Sequence, residues 1–271
     1  MTIRHRGALR TAGDRLRRWV LGCSLAILAG HPDAGSAQSA NVKAIEHVKP
    51  SIVAVGTFER MRSPEFRFRG TGFAVGDGSV VATNEHVVPA VLDIAREERL
   101  AVAVRAPDSR IQVRGARKLA SEPSADLVLL KIDGPPLPPL RIGNSDAVRE
   151  GRIYLFTGFP IGTVLGLIPA TSRAMISAIT PIVIPAARAN KLSALAIRRL
   201  AAGALPVFQL DGTAYPGNSG SPLYDPQSGE VVGIVNMVFV KGTKESALTK
   251  PSGISYAIPA QKLRQLLQRA R

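Results

Sequence analysis

Three short runs in this chain hold residue types that could break a peptide or ester bond together. One is Ala82-Thr83-Asn84-Glu85-His86-Val87-Val88, where His86 closes an apolar stretch. An imidazole there can serve as a general base, although a single histidine at a strand end is more often structural. The other three histidines are poorer candidates: His5 and His31 fall in or beside an N-terminal leader, and His47 precedes the first strand. A second run is Ala214-Tyr215-Pro216-Gly217-Asn218-Ser219-Gly220-Ser221-Pro222-Leu223. Glycines on both sides of Ser219 let the backbone fold tightly, so the hydroxyl projects while neighbouring amide hydrogens converge. Converging amides stabilise the charge that develops on a carbonyl under attack, though the same residues also build ordinary hairpin turns. The third run is Ser124-Ala125-Asp126-Leu127-Val128-Leu129-Leu130-Lys131-Ile132. An acid just ahead of an apolar strand can sit at the core edge and orient an imidazole; it can equally be an exposed turn residue.

The elements that must position these groups are short β-strands. Ile52–Phe58 reads as a strand, and Gly72–Val75 and Ser79–Thr83 flank Gly76-Asp77-Gly78, a hairpin signal. Further strands are expected at Leu100–Arg105, Ile111–Ala116, Leu127–Ile132, Ile153–Gly158, Ser172–Ile179, Pro206–Leu210, Val231–Val240 and Ser255–Ile258. Many short strands at this spacing indicate an all-β sandwich or barrel. The proline-rich break Gly134-Pro135-Pro136-Leu137-Pro138-Pro139 separates two β-modules. Pro259 to Arg271 reads as an amphipathic helix with Leu263, Leu266 and Leu267 on one side.

Composition narrows the class further. The chain has 271 residues, 45% hydrophobic and 20% charged, without repeats or low-complexity tracts. Arg4, Arg6, Arg10, Arg15, Arg17 and Arg18 precede an apolar run from Trp19 to Gly30, followed by Ala34-Gly35-Ser36-Ala37-Gln38. That order is a secretory signal peptide, residues 1–37, with cleavage expected near Ala37. The apolar run is shorter than the roughly 20 residues of a spanning helix. Arg17-Arg18 hints at twin-arginine export. Cys23, the only cysteine, lies within the leader, so the expected mature chain has no disulfide, no thiol nucleophile and no thiolate metal ligand. A bacterial periplasm or exterior fits that best. Without residues 1–37, which carry six arginines and two aspartates, the net charge falls from +15 to +11. Such a surface favours anionic membrane or wall material, or is simply a solvated basic surface. No nucleic-acid-binding motif accompanies it and aromatics are only 5%, few for stacking on bases, so no specific nucleic-acid partner is expected. No metal-ligand cluster and no phosphate-cradling loop is evident, and no cofactor is expected.

The order His86, Asp126, Ser219 resembles the trypsin-like peptidases, and most of all the bacterial HtrA/DegP-type proteases. The matching stretches are GTGFAVGDGSVVATNEHVV (70–88), ADLVLLKI (125–132), YPGNSGSPL (215–223), GEVVGIVNM (229–237) and GISYAIP (253–259), spread across nearly the whole expected mature chain. The resemblance implies two six-stranded antiparallel β-barrels of chymotrypsin-like type with a C-terminal helix. The expected divisions are residues 38–138, 139–259 and 260–271. It also implies an exported serine endopeptidase acting on unfolded or damaged proteins through a His86, Asp126 and Ser219 triad and an acyl-enzyme. Gly217, Asn218 and Ser219 would form the oxyanion hole. Thr213, Val235, Asn236 and Met237 would line the substrate pocket and, being uncharged, favour a small or medium apolar residue before the cleaved bond. HtrA-type relatives form trimers, so a homotrimer is implied as well. The rival reading is a protease-fold binding or chaperone-like module without turnover, docking on anionic surfaces.

Three departures from the family pattern stand out. Ser221 replaces the second glycine after the nucleophile position. About a dozen residues follow GISYAIP, so regulation through the PDZ domain usual in that family is not expected. Between Glu150 and Asp211 there is no acid, while Arg152, Arg173, Arg188, Lys191, Arg198 and Arg199 are basic. Part of this stretch, about 181–206, reads as an insertion containing a basic amphipathic helix, suited to membrane-surface docking, to a lid over the cleft, or to packing on the second barrel.

Overall fold

The computed structural model describes residues 34–106, 108, 110–162, 166–182, 205–236 and 254–270. Most of the expected signal peptide, residues 183–204 of the expected insertion, and Met237 lie outside these. The chain divides into two compact units, 1–40 and 41–271. Helix α1 (Ala34–Val48) begins in the first unit. The sequence pattern does not announce this helix; its signal is weak because, among its residues whose burial is described, only Ala44 and Val48, four residues apart on one face, are buried.

All of the described strands belong to the second unit. The first barrel contains β1 (Ile52–Phe58), β2 (Phe66–Val75), β3 (Val80–Asn84), β4 (Arg99–Arg105), β5 (Ile111–Glu122) and β6 (Leu127–Ile132). The second contains β7 (Ile153–Gly158), β8 (Ala170–Ile182), β9 (Leu205–Asp211), β10 (Pro222–Tyr224), β11 (Val231–Asn236) and β12 (Ile254–Pro259). Each barrel closes, in the orders β1-β2-β3-β6-β5-β4 and β10-β11-β12-β9-β8-β7, with antiparallel pairing throughout. This is the two-barrel architecture that the sequence resemblance implied.

Alternation along the strands sorts side chains into three cores. Val53, Val55, Val81, Val102, Val128 and Leu130 fill the first barrel. Tyr154, Phe156, Ile176, Phe208, Leu210 and Val235 fill the second. The opposite faces of the same strands, among them Phe73, Leu127, Leu129, Leu155, Tyr224 and Ile234, meet in a third core shared by both barrels. That is why β6 reads as a continuous apolar run rather than an alternating one: both of its faces are covered.

Helix α2 (Ala260–Arg269) packs into this shared core through Leu263 and Leu266, with Leu267 partly buried beside them. Two further differences from the sequence reading have local causes. Strand β5 continues six residues past Ala116, because a bulge between Lys118 and Ala120 bends it while it stays paired with β6. Strand β10 has only three residues, too few to carry a periodic signal.

Candidate active site

Strand pairing brings the histidine and the aspartate together. Asn84, the last residue of β3, pairs with Leu127, the first of β6. The residues just beyond this pair, on a one-turn 3-10 helix (Glu85–Val87) and at Asp126, therefore lie side by side. Asp126 ends a second such turn (Pro123–Ala125) in the left-handed conformation, φ 52° and ψ 44°. Aspartate tolerates that region better than most residues.

The position holds Asp126 from several directions. Its carbonyl accepts the Glu85 N–H at 3.0 Å and the Asn84 amide at 3.1 Å. Its Oδ1 accepts the backbone N–H of His86 at 2.9 Å. Its Oδ2 meets His86 Nδ1 at 2.6 Å and accepts Asn236 Nδ2 at 2.6 Å. The carboxylate is largely sheltered, at 12% side-chain exposure, whereas the imidazole remains 32% exposed. Nδ1 bound to a carboxylate carries the ring proton, which leaves Nε2 as the ring's acceptor. The neighbouring Glu85 carboxylate turns away from the ring to an ion pair with Lys118.

The serine comes from the turn between β9 and β10. Asn218 N–H donates to the Tyr215 carbonyl at 2.9 Å. Pro216 and Gly217 occupy the two central positions, with Gly217 at φ +103°. Proline at the first centre and positive φ at the second define a type II turn. Glycine is obligatory at 217 on two counts, since a Cβ would also lie 2.2 Å from the Phe159 carbonyl oxygen. Gly220, at φ +88°, is equally confined, its Cβ position lying 2.0 Å from the Thr71 carbonyl oxygen.

Ser219 is 6% exposed and its carbonyl accepts the Thr71 N–H at 2.9 Å. A Cβ on Gly70 would approach both the Ser219 carbonyl oxygen, at 3.0 Å, and the Val87 side chain, at 2.7 Å. The serine thus abuts the strand that carries Thr71 and the residue next to His86. Gly220 N–H and Val235 N–H then fasten the turn to β11, donating to the Val235 and Ser221 carbonyls at 2.9 Å each. The Ser221 hydroxyl is buried without a hydrogen-bond partner among the described residues.

The residues expected around a substrate pocket are distributed differently from one another. Thr213 is partly exposed, in a segment anchored by Ser255 Oγ, which accepts Ala214 N–H at 2.8 Å and donates to the Gly212 carbonyl at 2.6 Å. Val235 turns into the interior of the second barrel. Asn236, on the other face of β11, spends its amide on Asp126. Met237 lies outside the described residues. Neither the Asn236 bond nor the contacts of Thr71 had a signal in the sequence beyond the runs they belong to, because each spans two barrels. Among the described residues, no three His, Cys, Asp or Glu side chains gather as metal ligands would. No helix among them is long and apolar enough to cross a membrane.

The family described as "Trypsin-like peptidase domain" matches residues 70–234. Proteins named "Probable periplasmic serine endoprotease DegP-like" are among the relatives. The one from Marinomonas sp. is 30% identical over 196 residues, covering 71% of this chain and 33% of its own length. That from Ectopseudomonas mendocina is 30% identical over 204 residues, covering 74% of this chain and 34% of its own. The chain therefore spans about a third of the length of these curated relatives. Among solved structures, "HtrA-type protease AlgW with tripeptide" superposes with a TM-score of 0.59 at 25% identity, covering 84% of this chain and 62% of that one.

Proposed function

Because this chain belongs to the trypsin-like peptidase family, we propose that it is a serine endopeptidase in which His86, Asp126 and Ser219 form the catalytic triad. The observation that carries the reading is the 2.6 Å contact between His86 Nδ1 and Asp126 Oδ2, which leaves Nε2 as the ring's acceptor. Ser219 Oγ attacks the scissile carbonyl while His86 Nε2 takes its proton. Asp126 holds the imidazole in the tautomer that permits this and stabilises the imidazolium. The N–H groups of Gly217 and Ser219 receive the negative oxygen, Asn218 completing the loop between them. Collapse of the tetrahedral intermediate expels the amine, protonated by His86, and leaves an acyl-enzyme on Ser219. Water, activated by the same imidazole, then releases the acid and restores the hydroxyl.

The substrates are proteins or peptides, unfolded or damaged chains of the bacterial envelope by analogy with the relatives' names, and the compartment is the periplasm. The uncharged residues expected at the pocket, Thr213, Val235, Asn236 and Met237, favour a small or medium apolar residue before the cleaved bond. A peptide library showing strong preference for Arg or Lys there would contradict this. The basic surface, +11 without residues 1–37, favours anionic envelope material, and salt-sensitive sedimentation with anionic vesicles is the corresponding measurement. A homotrimer, as in HtrA-type relatives, is tested by sedimentation velocity.

The deciding experiment is labelling of purified residues 38–271 with a fluorophosphonate, beside Ser219→Ala and His86→Ala. Labelling that requires both residues is the expected result. A folded wild-type protein that does not label would point to a binding module on a protease fold.

A further inference from the structure

The turn that carries Gly217 and Ser219 belongs to the second barrel, yet one side chain of the first barrel reaches behind it. Thr71 lies in β2, fully buried. Its Oγ1 donates to the Gly217 carbonyl at 2.6 Å and accepts the Phe159 N–H at 3.1 Å. Its backbone N–H donates to the Ser219 carbonyl at 2.9 Å. Its own carbonyl accepts Thr83 Oγ1 at 2.6 Å, which fixes Thr71 to β3 of its barrel. One residue thus holds the carbonyls of both Gly217 and Ser219, and a hydroxyl so placed has its donor and one acceptor site used.

The loop on which Phe159 sits grips the same turn from the other side. Ile161 N–H donates to the Pro216 carbonyl at 2.8 Å, and Gly162 N–H donates to the Phe159 carbonyl at 3.2 Å. Ile161 does this at φ 60°, a left-handed conformation that a β-branched residue adopts only when its surroundings impose it. In a type II turn the N–H of the central peptide points opposite to its carbonyl. With the Pro216 carbonyl drawn to Ile161, the Gly217 N–H faces the other way. Rotation of the Pro216–Gly217 peptide would break the Ile161 bond and disturb the Gly217 carbonyl that Thr71 holds.

We infer that Thr71 is a positioning residue for the oxyanion hole: its hydroxyl, supplied by the first barrel, locks the Pro216–Asn218 turn with the Gly217 N–H aimed at the developing oxyanion. The inference rests on the proposed peptidase reading. A donor displaced by about 1 Å costs on the order of 100-fold in rate. The loss belongs to the transition state, because substrate contacts elsewhere in the cleft are untouched.

The test measures Thr71→Val, Thr71→Ala and Thr71→Ser beside wild type and Ser219→Ala, using a fluorogenic peptide and a peptide aldehyde whose adduct needs the oxyanion hole. The expected result is a kcat reduced ~10- to 100-fold in Thr71→Val and Thr71→Ala, with KM nearly unchanged and aldehyde affinity weakened by a similar factor. Thr71→Ser, which keeps the hydroxyl, restores both. Thr71→Ala keeps the backbone bonds to Ser219 and Thr83, so it serves should the valine variant not fold. Folded valine or alanine variants with wild-type kcat and aldehyde affinity overturn the inference alone. So does a lowered melting temperature with kcat and aldehyde affinity intact, or a serine variant as impaired as alanine. A wild-type chain without Ser219-dependent turnover overturns the peptidase reading and this inference with it.

Discussion

Asp126 shows how much a single residue is asked to hold. It stands in a left-handed conformation, and its carboxylate is shared by the His86 ring, the His86 backbone and the Asn236 amide. The Asn236 bond is the one that arrives from the other barrel, so its removal tests the carboxylate's orientation without touching the proposed triad. A hydrogen bond to a charged group contributes ~1.5–3 kcal/mol. Asn236→Ala should therefore lower kcat by roughly 10- to 100-fold with little change in KM, measured on a peptide substrate at constant pH. A variant with wild-type kcat would show that His86 alone suffices to hold the carboxylate. At the turn, Gly217→Ala has no such latitude: both the positive φ and the Phe159 carbonyl oppose a Cβ. The variant should lose fluorophosphonate labelling by at least ~100-fold while retaining its far-ultraviolet circular dichroism; unimpaired labelling would show that the turn can move.

At the level of elements, the connection between β1 and β2 is tied down by Arg62. Its guanidinium donates to Glu98 at 3.0 Å, to the Thr57 carbonyl at 2.9 Å and to the Glu65 carbonyl at 2.9 Å. The Glu98 carboxyl is lowered to about 2, chiefly by the Thr57 hydroxyl, then by the Asp93 backbone N–H and by Arg62. A carboxyl depressed in the folded state contributes stability above its unfolded value, near 4.5, and loses it as pH falls toward 2. Glu98→Gln should therefore lower the melting temperature at pH 7, and the gap to wild type should close as pH drops from about 4.5 to about 2. A gap independent of pH would assign the effect to packing instead.

Helix α2 offers a different kind of element. Leu263 is fully buried against the shared core, and Arg264 caps the Ile142 and Gly143 carbonyls at 2.8 Å each. Leu263→Ala should cost about 2–5 kcal/mol in chemical denaturation, with kcat of the folded fraction unchanged. A loss below 1 kcal/mol or so would mean that the helix docks loosely.

On the scale of the whole molecule, the site is made by the meeting of two barrels. His86 and Asp126 come from the first and Ser219 and Asn236 from the second. The third core, with Leu129 and Phe73 from one barrel and Leu155, Tyr224 and Ile234 from the other, joins them. Removing either barrel would expose that surface, so the two should unfold together. Fluorophosphonate reactivity and far-ultraviolet circular dichroism should be lost at the same denaturant concentration. Reactivity lost well before the strands would show that the barrels separate first.

The sequence by itself determined the strand-rich class and the two-module order, and it singled out His86, Asp126 and Ser219 as candidates, because each of these signals is local. Strands announce themselves through apolar runs and hairpin signals. Gly217 and Gly220 reveal a turn that only glycine can make, and the C-terminal helix shows its leucines at helical spacing. Where the signal depends on partners far along the chain, it was silent. The three residues of β10 become a strand only because β7 and β11 flank them, and the continuation of β5 requires β6 beside it. Val235 and Asn236 are neighbours in sequence but lie on opposite faces of β11, so one fills a barrel and the other reaches Asp126. The Thr71 hydroxyl finds Gly217 across 146 residues. Only the tertiary structure decides such contacts, since a hydrogen bond between two barrels is a property of how they close on each other and not of either run of residues.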